Sequence, residues 1–200
     1  MSIVTLNNRA LKDATEVGTT TGLGNLVFIS RSTASSSSSV SITSGIDSTY
    51  KEYIFYFVNI HPATDNASFS VNFSADGGSN YNVTKTTSYF RSIHYESGTS
   101  AFGYDSGGDL AQSTDFQNII TVIGADNDQS GVGCMHLFNP SDTTFVKHFV
   151  VNAQKAHYSD ISVNEFYAGY ANTTSAIDAV QFKMSSGNID SGTIIMYGVK

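Results

Sequence analysis

Tryptophan is absent from these 200 residues, cysteine occurs once, proline twice, and charged side chains make up only 14% of the chain. Each shortage excludes something. A lone thiol, Cys134, cannot close an internal disulfide, so folding is expected to be independent of redox compartment. Ten basic residues stand against seventeen acidic ones, for a net charge of −7, and no Lys/Arg cluster occurs. Such a surface is not built to neutralise a phosphate backbone, and no nucleic acid is expected as a partner. No apolar run approaches the roughly twenty residues that span a bilayer. Met1–Arg9 has neither the basic start nor the apolar stretch of a secretory leader. The expectation is a protein made in a cytoplasm, with no membrane partner.

What is present is Ser, Thr, Asn and Gly for the polar surface, with eleven Tyr and thirteen Phe for the interior. Thr and aromatics suit pleated strands, and Asn and Gly suit tight corners. The first two dozen residues stand apart. Leu6–Ala14 fits one or two helical turns, and the glycines between Val17 and Gly24 break them, so 1–24 reads as an N-terminal arm. From Asn25 onward the period is two. Leu26–Ile29 is a short apolar run suited to a strand buried on both faces, and the serine tract Ser35–Ser39 to a loop or strand edge. Tyr53–Ile60, closed by Pro62, has the composition of a central strand. In Ser68–Ser74 the alternation places Phe69, Val71 and Phe73 in the core and Ser70 and Asn72 in water. Asp76–Ser79 supplies a glycine-rich hairpin turn.

Further strands are expected over 83–95, 116–123, 133–138, 144–151, 163–170, 179–184 and 193–199, with loops at 97–109 and 125–131. Phe116, Ile119, Ile120 and Ile123 also fit a helical face, but strand is preferred there. About nine to eleven short strands at regular spacing imply an all-β chain. The expected architecture is an antiparallel β-sandwich of jelly-roll type over 25–200, behind the arm. No internal repeat is visible, which argues against propellers and solenoids.

Catalytic patterns are missing. His61, His94, His136, His148 and His157 lie at no close metal-ligand spacing, and zinc needs convergent His/Cys groups. No Gly-x-Ser-x-Gly elbow occurs. Cys134 and His136 share a strand face, a geometry that allows a nucleophile and base, but a lone Cys in an apolar strand reads first as a small packed residue. Glutamate is scarce and most aspartates sit in turn contexts, so paired glycosidase carboxylates are not expected. Asp126–Gly131 opens like an EF-hand loop, yet Leu137 stands where a bidentate Glu is required. A surface Ca²⁺ there or at Asp105–Asp109 stays open as an alternative; no cofactor or metal is assigned. Sequons at Asn66, Asn72, Asn82 and Asn172 read as chance in an Asn/Ser/Thr-rich chain. Phe102-Gly-Tyr104 is a possible aromatic platform for carbohydrate.

The final segment, Gly192-Thr-Ile-Ile-Met-Tyr-Gly-Val-Lys200, resembles the close of uncharacterised bacteriophage virion structural proteins of marine and metagenomic type. Ser44–Tyr53, Asp76–Tyr81 and Ala176–Phe182 fit the same set. The resemblance implies a jelly-roll-like protein decorating or cementing a capsid, with major capsid or tail proteins as partners and a virion location. It brings no catalytic residues. A tail-fibre head recognising a host surface glycan and a small glycan-degrading domain are the alternatives. A homo-oligomer is expected, with Ile3, Val4, Leu6 and Leu11 of the arm as assembly contacts.

Overall fold

The computed structural model describes residues 25–159 and 161–200. The arm, its helical turns and the contacts assigned to Ile3, Val4, Leu6 and Leu11 lie outside the described residues. From Asn25 onward the chain is all-β, and every strand pairing is antiparallel. Twelve strands are formed: β1 (Leu26–Ser37), β2 (Val40–Ile42), β3 (Glu52–Pro62), β4 (Ala67–Ser74), β5 (Lys85–Tyr95), β6 (Ser100–Tyr104), β7 (Gln117–Ile123), β8 (Gly131–Phe138), β9 (Lys147–His157), β10 (Ile161–Ala171), β11 (Ala179–Met184) and β12 (Ile189–Val199).

Two layers result. The larger runs β1-β12-β3-β8-β9-β10-β5-β6 and the smaller β7-β4-β11-β2, joined at one seam by the single pair Ile123–His157. Early strands pair with late ones in nested order, β3 with β12, β4 with β11 and β5 with β10, as a long hairpin rolled on itself would. This is the antiparallel sandwich expected from the period-two pattern. β8 and β9 are inserted between the β3–β12 and β5–β10 pairs.

The layers meet through aromatic side chains. Phe57 of β3 packs edge-on against Phe69 of β4 and Phe182 of β11 with centroids 5.3 Å apart, and Phe73 meets Phe149 at 5.1 Å. Burying one such side chain stabilises by about 1.5–3 kcal/mol. Gly198 of the last strand sits directly under the Tyr50 ring. A Cβ there would come within 2.3 Å of it, which explains a glycine in an otherwise bulky strand.

Several expectations are corrected. Phe69, Val71 and Phe73 are buried as read, but Ser70 and Asn72 are buried too. Asn72 Nδ2 donates to the carbonyls of Tyr81 (2.7 Å) and Thr114 (2.9 Å), because loop backbone crosses the outer face of the small sheet. Alternation registers which face a residue is on, not whether that face is wet. Leu26–Ile29, read as doubly buried, opens a strand that among the described residues pairs only with β12, and Phe28 is 56% exposed. β3 is central, but its Val58 is exposed. Asp76–Ser79 does turn the chain, with Gly77 and Gly78 at positive φ, but β4 and β5 are not ladder partners. The stretch read as one loop over 97–109 contains β6.

The ambiguity at Phe116–Ile123 has a physical origin. β7 is a strand, but against β4 it carries two extra residues: Phe69 faces Ile120 while Ser70 faces Asn118, and Ala67 faces Ile123. Each bulge advances the inward position by one residue. The i, i+3, i+4, i+7 spacing therefore comes from a bulged strand, with Val122 at φ 52°.

Candidate functional site

The outer face of the larger sheet is the surface left open by the sandwich. Its composition changes from one side to the other. On the β1-β12-β3-β8 side the ladder registers place Phe28, Tyr197, Ile54 and His136 in one cross-strand row. Arg31, Ile195, Tyr56 and Cys134 form the next. Rings interlock along it, Phe28 with Tyr197 at 5.9 Å and Tyr56 with Tyr197 at 5.8 Å. Leu26, Phe28, Val58, Val132, Phe138 and Val150 are all exposed. Ile54 is buried within the first row, and the exposed apolar groups stand around it on the same sheet face, the kind of surface that marks an interaction site.

Within this half lies an arrangement with catalytic resemblance. His136 Nδ1 is 2.6 Å from Glu52 Oε1, and Cys134 Sγ is 3.7 Å from His136 Nε2. Cross-strand pairing of β3 with β8 and the two-residue spacing on β8 bring the three together. Cys134 is thus on the outer face and half-buried, not in the core as the sequence suggested. The relay orders thiol, imidazole and carboxylate, but burial pushes the thiol pKa up, away from the thiolate that attacks. The surrounding strand backbone is occupied in ladders, so no pair of free N–H groups faces the thiol to hold an oxyanion.

On the β9-β10-β5-β6 side the same face is polar and hollowed. Outward positions on β10 run Ser162, Asn164, Phe166, Ala168 and Tyr170. Phe166 stacks on Phe90 of β5 at 4.9 Å, forming a ridge. Two adjoining hollows of about 500 and 430 Å³ lie at one end and share His94, Gln154 and Ser162. A third, of about 380 Å³, lies beyond the ridge between His148, Ala168 and Tyr170. Phe102, 74% exposed, stands at the rim on β6.

Inside the sandwich is a charged cluster the sequence did not announce. Lys155 and Glu165 are fully buried, their charged atoms 3.0 Å apart. Glu165 also accepts from Tyr89 Oη (2.7 Å), from the Thr121 N–H (3.0 Å) and from the Thr121 hydroxyl. Burial lowers the Lys155 pKa, and the carboxylate opposes that shift. Because Thr121 is on β7 and Lys155 on β9, the network pins the two layers near their seam. Tyr89 stacks flat on Tyr167 at 4.2 Å. A second buried amine, Lys85, donates to Asn72 Oδ1 (2.6 Å) and Val83 O (2.9 Å).

Other sequence candidates are scattered. Among the described residues no group of three His, Cys, Asp or Glu converges as a metal cage. Asp105 is engaged by Arg91 at 2.8 Å, and Asp109 accepts from Tyr104. In the loop after β7, Asp126 O closes a turn with the Gln129 N–H. The five histidines lie on β3, β5, β8 and β9, and Asn72 is too buried to serve as a glycosylation acceptor. No protein family, curated protein or solved structure matches this chain.

Proposed function

We propose that the protein is a non-enzymatic structural component of a particle, a phage virion protein that decorates or cements the capsid. The observation that supports an assembly role is the uncovered apolar half of the larger sheet, with Phe28, Val58 and Phe138 facing solvent among the described residues. Isolated apolar side chains at a surface need no explanation, but several on one sheet face do. Charge is sparse on that face, where Arg31 is the formal charge in the two rows described and Glu52 lies beside them, and depletion of charge is typical of the centre of an interface. The virion assignment rests on the resemblance of Gly192–Lys200 and the three shorter segments. The reading as a non-enzyme rests on the raised thiol in the only nucleophile–base–acid relay described and on its fully paired backbone surroundings.

Quantitative mass spectrometry of purified particles tests this. Hundreds of copies per particle are expected for capsid decoration, and a handful would move the protein to the tail. Absence from purified particles would overturn the proposal. Substituting Phe28→Asp and Phe138→Asp together should leave the fold intact and reduce retention on particles.

A further inference from the structure

We infer that the hollowed half of the larger sheet's outer face is a binding trough for a neutral oligosaccharide. Two adjoining hollows of about 500 and 430 Å³ share His94, Gln154 and Ser162 and form one trough across β9, β10 and β5, bounded on one side by the Phe90–Phe166 ridge. Small outward residues, Ser92 and Ser162, keep its floor low, and the hollow beside His148 lies apart from it beyond the ridge. Hollows of this size fall in the range of small-ligand sites, which a few sugar rings fill.

The lining chemistry narrows the ligand. Gln154 Nε2 donates to Ser162 Oγ (2.9 Å), and Asn164 Nδ2 donates to Asn152 Oδ1 (3.1 Å) and Ala153 O (2.9 Å). These bonds fix both amides and leave Gln154 Oε1 and Asn164 Oδ1 without partners among the described residues. Fixed acceptors of this kind suit hydroxyl donors at no reorganisation cost. Phe102 presents its ring at the rim, 5.7 Å from Phe90, where the C–H face of a pyranose can stack.

Two other ligand classes fit worse. A polyanion would meet Glu96 and Asp128 at one end of the trough, on a chain of net charge −7. An extended peptide would find no main-chain partners on the floor, because the backbones of β8, β9, β10 and β5 are engaged in their ladders. The inference does not depend on whether the protein sits on a capsid, on a tail or on neither.

The test uses the purified full-length chain on a printed array of neutral hexose and N-acetylhexosamine oligosaccharides, alongside sulfated and sialylated ones. A neutral hit is then titrated in solution. Phe102→Ala and Gln154→Ala should each weaken binding roughly tenfold. Phe145→Ala, equally exposed but outside the trough, should leave it unchanged, and all three variants should keep the parent's unfolding midpoint. Binding to no neutral glycan, binding confined to anionic glycans, or a neutral hit insensitive to both trough variants would each overturn the inference. Particle copy number does not enter any of these outcomes, so this inference can fail while the assembly role stands.

Discussion

At the scale of single residues, the buried charges decide most. Glu165 receives a full set of donors inside the sandwich, so its cost of burial is offset only while Lys155, Thr121 and Tyr89 are all in place. Lys155→Met alone strands a buried carboxylate and should destabilise by about 3–5 kcal/mol. The double variant Lys155→Met/Glu165→Leu should recover most of that loss in denaturant unfolding. Additive losses would mean the two side chains act independently. Lys85 gives a pH signature. Burial lowers its pKa to about 8 from 10.5, with Asp115 opposing, and its two acceptors match the two N–H groups of a neutral amine. Between pH 8 and 10.5 the folded state then binds fewer protons than the unfolded one. Stability should rise with pH across that window, by up to roughly 3 kcal/mol. Tyr89 and Tyr167, both raised by burial, act in the opposite sense above pH 10. The clean readout is therefore the difference between wild type and Lys85→Met from pH 8 to 9.5, which should widen in favour of the wild type.

At the scale of elements, β7 shows how a strand can imitate a helix. Its two bulges push the inward side chains to helical spacing, and Val122 takes a left-handed conformation that a β-branched residue tolerates poorly. Val122→Gly should stabilise the protein by about 1 kcal/mol, read as a higher unfolding midpoint, because the strain of about 1–2 kcal/mol exceeds the extra entropy cost of glycine. A lower midpoint would show that side-chain packing at Val122 outweighs its backbone strain. β4 carries the complementary lesson. Its alternation was legible in Phe69, Val71 and Phe73, yet Asn72 is buried because the loop that follows β4 and a second one more distant in sequence both cross over it, through Tyr81 and Thr114. β6 was missed because a five-residue edge strand with glycine at Gly103 carries too short a pattern to stand out from the turns around it.

At the scale of the whole molecule, association through a nearly uncharged face should respond little to salt. Sedimentation or particle retention measured from low to high ionic strength should stay constant, and dissociation at high salt would show that ion pairs carry the contact. Among the described residues the core cluster runs from Ala34 to Met196 and already fills both layers. Deleting residues 2–20 should therefore leave thermal unfolding of the sandwich within a degree or two of the parent and weaken assembly instead. Loss of the folding transition would show that the arm belongs to the sandwich.

The all-β class, the strand sequence from Val40 to Val199 and the inward set of most strands follow from the sequence itself. A period of two, bounded by Gly, Asn and Asp turns, is a local property that any single strand records. The outer-face site was far less legible. Cys134, His136 and Glu52 are close because β3 pairs with β8 in one register, and Lys155 meets Glu165 because β9 and β10 flank one another inside a closed seam. The same tertiary pairing gathers Gln154, Asn164 and Phe102 from three strands into one trough. Local alternation can say that a side chain points up or down, but only the packing of strands remote in sequence decides whether that side is core, loop-covered or open to a ligand.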